Sequence, residues 1–149
     1  MISTSNGTSA ERGGTYRIVG RGSDMAIEVT GPTAEACLAA AIEGFAAALA
    51  EVDPSVDRRR EPITLPGAAP ADLLVDLIDD AILRLDADGA LAVGLTDAQV
   101  DDDGLRGALE IVNLADARVH GAAPKAATWH GARLERTSDG WEGHVMLDL

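Results

Sequence analysis

The chain has 149 residues, 46% of them hydrophobic, with two Trp, one Tyr and one Phe, so it is long enough for one domain around an aliphatic core. Its formal net charge of −13 argues against a phosphate backbone as direct partner, because affinity for nucleic acid comes largely from Lys and Arg; any link to RNA is indirect, and the charge suits a basic protein surface or a cation. Cys37 alone rules out an intrachain disulfide, and no apolar run approaches bilayer length, so a cytoplasmic protein that binds no membrane is expected.

Residues 1–15 are rich in Ser, Thr and Gly and predict a disordered tail before a single domain over 16–149. Residues 16–19 and 25–30 suit strands, the second by the alternation of Met25, Ile27 and Val29 with Ala26, Glu28 and Thr30. Between them Gly20-Arg21-Gly22-Ser23-Asp24 reads as a turn. Thr33 is a plausible N-cap for a helix with Leu38, Ala41, Ile42, Phe45, Leu49 and Val52 on one face, and Cys37 beside that stripe reads as a small core residue. Arg58-Arg59-Arg60 lies in a polar connector over 53–61, read as a solvated loop, ahead of a short strand at 62–65.

A second helix over about 70–85 has Leu74, Leu77, Ile78, Ala81, Ile82 and Leu85 on one side and Asp72, Asp76, Asp79 and Asp80 on the other. The carboxylates read first as a solvated face and second as a docking surface for a basic partner. Asp86-Ala87-Asp88-Gly89 ends the helix, and 91–95 reads as a strand. Asp101, Asp103, Gly104 and Glu110 fall at four positions of an EF-hand calcium loop, but Gln99 stands in the first ligand position and strand-like sequence flanks the segment, so a polar hairpin turn is expected. A strand run over 109–119 follows.

Thr137-Ser138-Asp139-Gly140 separates two alternating runs and predicts a closing hairpin. With Asp139 and Gly140 as turn residues, Leu134 faces Val145, Ala132 faces Leu147, Gly131 faces Asp148 and His130 faces Leu149. A four-residue loop keeps the same faces. Asp148 then points away from the apolar face, together with Trp129 and Arg133. Asp148 followed at once by Leu149 gathers oxygen acceptors at a strand end, which hard cations favour; the plainer reading is a solvated chain end. Trp129 and Trp141 read as packing residues, His144 as a sheet-surface residue and His130 as a hydrogen-bonded strand histidine. The two helices with one apolar stripe each, and the run of strand signals after Leu91, predict an α+β domain with both helices on one face of a mainly antiparallel, mixed sheet.

Several stretches together resemble the archease family, small acidic proteins that activate the RtcB-type RNA ligase of tRNA splicing and RNA repair. Lys125 to Gly131, KAATWHG, is similar to the family's Lys-Ala-x-Thr-Tyr-His-x segment, and the terminal strand from Gly140 to Leu149 is similar to one ending in Leu-Asp-Ile or Leu-Asp-Val. SDMAIEVTG, from Ser23 to Gly31, looks like the family's opening motif, and LLVDLIDDAILRLDADG resembles its second helix. The resemblance implies a two-layer sandwich and a divalent cation, usually calcium, on Asp24, Asp148 and the carbonyl or carboxylate of Leu149. It further implies that Lys125 and His130 serve partner activation. Arg21-Gly22-Ser23 stands where the family has His-Thr-Ala, placing a positive charge beside the cation position, and the loop before Lys125 is short.

The resemblance implies no catalysis by this chain: the ligase forms a guanylylated histidine and joins the RNA ends, and the smaller protein helps it do so. In agreement, the chain has no GxSxG elbow, P-loop, His-Glu-x-x-His or paired cysteines. The competing class is a small hydrolase or ligand-binding module using Asp24, Lys125 and Asp148.

Overall fold

The computed structural model describes residues 2–8 and 13–149, with side chains other than those of 2–6, 8 and 21. In chain order the elements are β1 (Ile2–Thr8), β2 (Thr15–Arg21), β3 (Asp24–Gly31), α1 (Ala34–Leu49), β4 (Ala50–Glu51), β5 (Arg59–Pro66), α2 (Pro70–Asp88), β6 (Ala90–Asp101), β7 (Gly104–Asn113), β8 (Arg118–Val119), β9 (Ala126–Thr137) and β10 (Gly140–Asp148). A single 3₁₀ turn, Leu114–Asp116, precedes β8. The expected α+β architecture, two helices against mainly antiparallel strands, is present. The strands divide into a five-stranded sheet ordered β1-β2-β3-β10-β9, a three-stranded sheet ordered β5-β7-β6 and a β4-β8 pair.

The tail expected over residues 1–15 is in part strand, since Ile2–Thr8 pairs antiparallel with β2. A Ser- and Thr-rich segment with little apolar surface can still satisfy its backbone by adding to a sheet edge. Residues 9–12 lie outside the described residues.

Thr33 caps α1, its hydroxyl accepting the amide of Ala36 at 3.0 Å. α1 is buried on nearly every side, Leu38, Ile42 and Phe45 completely, because it packs on β2 and β3 of one sheet and on β6 of the other. A helix so enclosed is apolar on nearly every side, Glu35 and Glu43 excepted, rather than along one stripe, and its alanines let both sheets approach. Amides of His120 and Gly121 close its end on the carbonyl of Leu49.

Cys37 has no exposed surface, and burial pushes its thiol up to about 11. Only the unfolded thiol ionises between about pH 9 and 11, so Cys37 lowers stability as pH rises through that window, by up to about 1.4 kcal/mol per pH unit. A thiol reagent at pH 8 should leave the native protein unmodified and react fully in denaturant; fast native labelling would contradict the burial.

α2 starts on Pro70 and stops at Gly89, which takes the left-handed conformation at φ 61°. It packs on β6 and along β9, the edge of the five-stranded sheet. The arginines expected in a solvated loop are instead drawn into ion pairs as β5 forms. Arg59 meets Glu61 at 2.8 Å, and Glu61 meets Arg84 of α2 at 2.6 Å. Arg84 also holds Asp80 at 2.6 Å, while Arg58 reaches Glu110 at 3.5 Å. The segment that resembled a calcium loop is the β6–β7 hairpin: Asp101 pairs with Gly104, and Asp101 Oδ1 accepts the amide of Asp103 at 2.8 Å.

Candidate functional site

The end of the five-stranded sheet brings four strands to a row. Asp24 opens β3, and its Cα partners are Arg21 of β2 on one side and Asp148 of β10 on the other. Asp148 is also the partner of Ala126, the first residue of β9. Two backbone bonds extend the row: the Lys125 amide donates to the Asp148 carbonyl at 2.7 Å, and the Leu149 amide donates to the Ser23 carbonyl at 3.0 Å. Asp24, Asp148, Leu149 and Lys125 therefore meet at one sheet end, with both aspartates exposed.

Residues directly opposite in an antiparallel pair lie on the same face, their Cα atoms about 4.5–5.5 Å apart. Two carboxylates so placed repel, by about 1 kcal/mol in water-like surroundings, and like charges directly opposite destabilise a sheet. Among the described residues no basic side chain pairs with either aspartate, and no three His, Cys, Asp or Glu side chains converge as a metal group. Arg21, whose charge the sequence places beside the cation position, has its side chain outside the described ones. The donors present are two carboxylates and the main-chain oxygens around Leu149. They fit a hard cation that completes its shell with water, and they do not fit a metal needing nitrogen or sulfur ligands.

The hairpin register departs from expectation in an informative way. Thr137 pairs with Gly140, so Ser138 and Asp139 form the turn, and Gly143 rather than Val145 faces Leu134. Between the pairs Arg133–His144 and Thr128–Met146, residues 129–132 of β9 bulge against Val145 alone. Gly131 takes φ 73° there, a conformation glycine adopts without strain. The bulge reverses side-chain parity, so Ala127 and Leu134 are both buried from one strand. It also replaces the expected Gly131–Asp148 pair by Ala126–Asp148, which aligns Lys125 with the row. His130 is accordingly not opposite Leu149; it sits exposed on the bulge, its amide donating to Thr128 Oγ1 at 3.2 Å.

Trp129, expected to pack, is instead 55% exposed at the start of the bulge, whereas Trp141 packs against the core. His144 shares the outer face with Asp148 and places Nδ1 3.4 Å from Glu28 Oε2. Sequence reasoning missed Asp79. Its Oδ1 accepts the amide of Ala127 at 2.8 Å, tying α2 to the edge strand beside the row. The i, i+3 and i+4 spacing of the α2 carboxylates was the available signal, but it gave no partner. Removing that acceptor should free the strand end: in Asp79→Ala, exchange of the Ala127 amide should quicken about tenfold or more while core amides keep their rates. Unchanged exchange at Ala127 would show that the hydrogen bond holds nothing.

An open recess of about 770 Å³ is lined by Glu51, Val52, Asp53, Pro54, Ala115, Asp116, Ala117 and Arg118. It shares no residue with the row, and the ion pair of Arg118 with Glu51 at 3.4 Å accounts for part of its charge.

Fold and row together define a small acidic α+β protein that carries opposed carboxylates at the end of a sheet. The chain belongs to the archease protein family (MTH1598/TM1083), whose model matches residues 16–149. Two solved structures are similar to it. Protein 1598 of Methanobacterium thermoautotrophicum is 17% identical, with 89% of this chain and 96% of that one covered and a TM-score of 0.67. An archease from Thermotoga maritima, described as a possible chaperone, is 20% identical, with 87% and 93% covered and a TM-score of 0.62. No curated protein matches the chain. Among the described residues no helix is long and apolar enough to cross a membrane.

Proposed function

We propose that this archease-family chain is a non-catalytic activator of an RtcB-type RNA ligase in tRNA splicing and RNA repair. It acts as a protein cofactor that promotes ligase guanylylation and multiple turnover. Asp24, Asp148 and the main-chain oxygen of Leu149 hold a divalent cation, calcium by preference, and Lys125 and His130 contact the ligase. The cation offsets the charge of the facing aspartates and fixes the strand ends that carry Lys125. The partner is a protein, since a net charge of −13 opposes direct binding of RNA.

The observation that carries this reading is the pairing of Asp24 with Asp148. A sheet that sets two carboxylates opposite each other, with no basic side chain among the described residues paired to either and with the Lys125 amide bonded to Asp148, is arranged for something positive to arrive. The decisive assay is multiple-turnover ligation by the ligase with GTP and a divalent metal, with and without this protein. Added protein should raise turnover beyond one round. Equal product in both arms would remove the proposal.

A further inference from the structure

Leu83 and Trp129 are among the few large apolar side chains left exposed, at 65% and 55%. They belong to different elements but flank one hydrogen bond, that of Asp79 in α2 with the Ala127 amide of β9. Leu83 stands about one helical turn, roughly 6 Å, from Asp79. Trp129 stands two strand residues, roughly 7 Å, from Ala127. Each apolar group thus lies close to that bond along its own element, and α2 packs along β9 in one seam.

The seam carries charge as well. Asp72, Asp76, Asp79, Leu83 and Asp86 follow one another at steps of four, three, four and three residues, which draws one line of side chains along α2. The neighbouring Asp80 is paired with Arg84, but among the described residues no cation pairs with Asp72, Asp76 or Asp86. Partial burial of Asp76, and then the charges of Asp72 and Asp79, hold its carboxyl above the usual range. The helix thus keeps like charges close together, and its one basic residue, Arg84, is engaged by Asp80 and Glu61.

We infer that the seam between α2 and β9 is a docking surface for a basic segment of the partner protein. That segment carries Lys or Arg on both sides of an apolar residue, which covers Trp129 and Leu83 while the cations meet Asp72, Asp76 and Asp86. Exposed aromatic anchors beside charge of one sign are what such a segment recognises. A second copy of this chain would bring the same acidic line, and RNA the same sign of charge. The inference rests on the proposed function only in naming the ligase as the partner, and it adds a contact distinct from the Asp24–Asp148 row.

Calorimetric titration of the ligase into the wild type, Trp129→Ala, Leu83→Ser and the double variant Asp72→Asn/Asp76→Asn tests it. Both apolar sites are exposed, so these proteins should fold, and their melting curves and calcium binding should match the wild type. Trp129→Ala should weaken ligase binding about tenfold or more, Leu83→Ser less, and the double variant should flatten the salt dependence. Equal affinity for wild type and Trp129→Ala overturns the docking surface and leaves the proposed function intact. If the wild type binds no ligase, the ligase reading falls, and the seam is tested with a synthetic peptide alternating Lys and Leu. Amide shifts centred on Leu83 and the Trp129 indole then support the seam, and shifts that are absent or confined to Asp24 and Asp148 overturn it. A wild-type dimer that Trp129→Ala dissociates overturns the basic occupant in favour of a second copy.

Discussion

Asp148→Ala should lose ligase stimulation and calcium binding by at least about tenfold while unfolding within a few degrees of the wild type. The two effects separate because of where the residue sits. Asp148 is exposed at the last position of β10, and no described ion pair depends on its side chain. Its removal leaves no cavity and relieves repulsion from Asp24, so stability without metal should hold or rise slightly. The backbone bond from Lys125 uses the Asp148 carbonyl and survives the substitution. Added calcium should raise the melting temperature of the wild type, since a ligand that binds only the folded state stabilises it, and should leave Asp148→Ala unmoved. Full stimulation by the variant would dismiss the role given to the row.

Phe45→Ala should be the most damaging single substitution to the fold, costing about 3–5 kcal/mol of a stability that for domains of this kind totals roughly 5–15 kcal/mol. Phe45 is the chain's single phenylalanine and is fully buried. It projects from a helix held between two sheets, so neither side can close inward without losing contact with the other. Alanines surround it along α1 and cannot extend into the space. Urea denaturation should show a lower midpoint with little change in slope. A loss below about 1 kcal/mol would mean that the layers are not packed as closely as the burial indicates.

Much of this was legible from residues alone. The Thr33 cap, the apolar stripe of α2 and the Gly89 stop were stated by local chemistry that tertiary context did not override. The meeting of Asp24 with the terminal strand came from the resemblance, and hairpin pairing brought the strand of Lys125 beside Asp148, though it set Gly131 there and the bulge brings Ala126 and Lys125 instead. The exact register did not, because period-two alternation is blind to an inserted stretch: only Gly131 hinted that residues 129–132 would bulge. Trp129 was misread as a packing residue although parity placed it with Asp148 on the outer face. The arginines at 58–60 were misread because Glu110, the partner of Arg58, and Arg84, which links to Arg59 through the neighbouring Glu61, are distant in sequence. The division of strands between sheets was hidden for the same reason, α1 being apolar on nearly every side without saying what covers each.

The bulge at residues 129–132 also divides β9 into two lengths that need not move together. The length from Ala126 to Thr128 is indexed by Asp148, Leu147 and Met146, and the length from Arg133 to Thr137 by the Ser138–Asp139 turn. Four residues of β9 stand there against one of β10, whose own run from the turn to Asp148 is unbroken. Ser138 and Asp139 are exposed at the hairpin tip, at the opposite end of β10 from Asp148, so a fluorophore or a short epitope can be grafted there away from the aspartates.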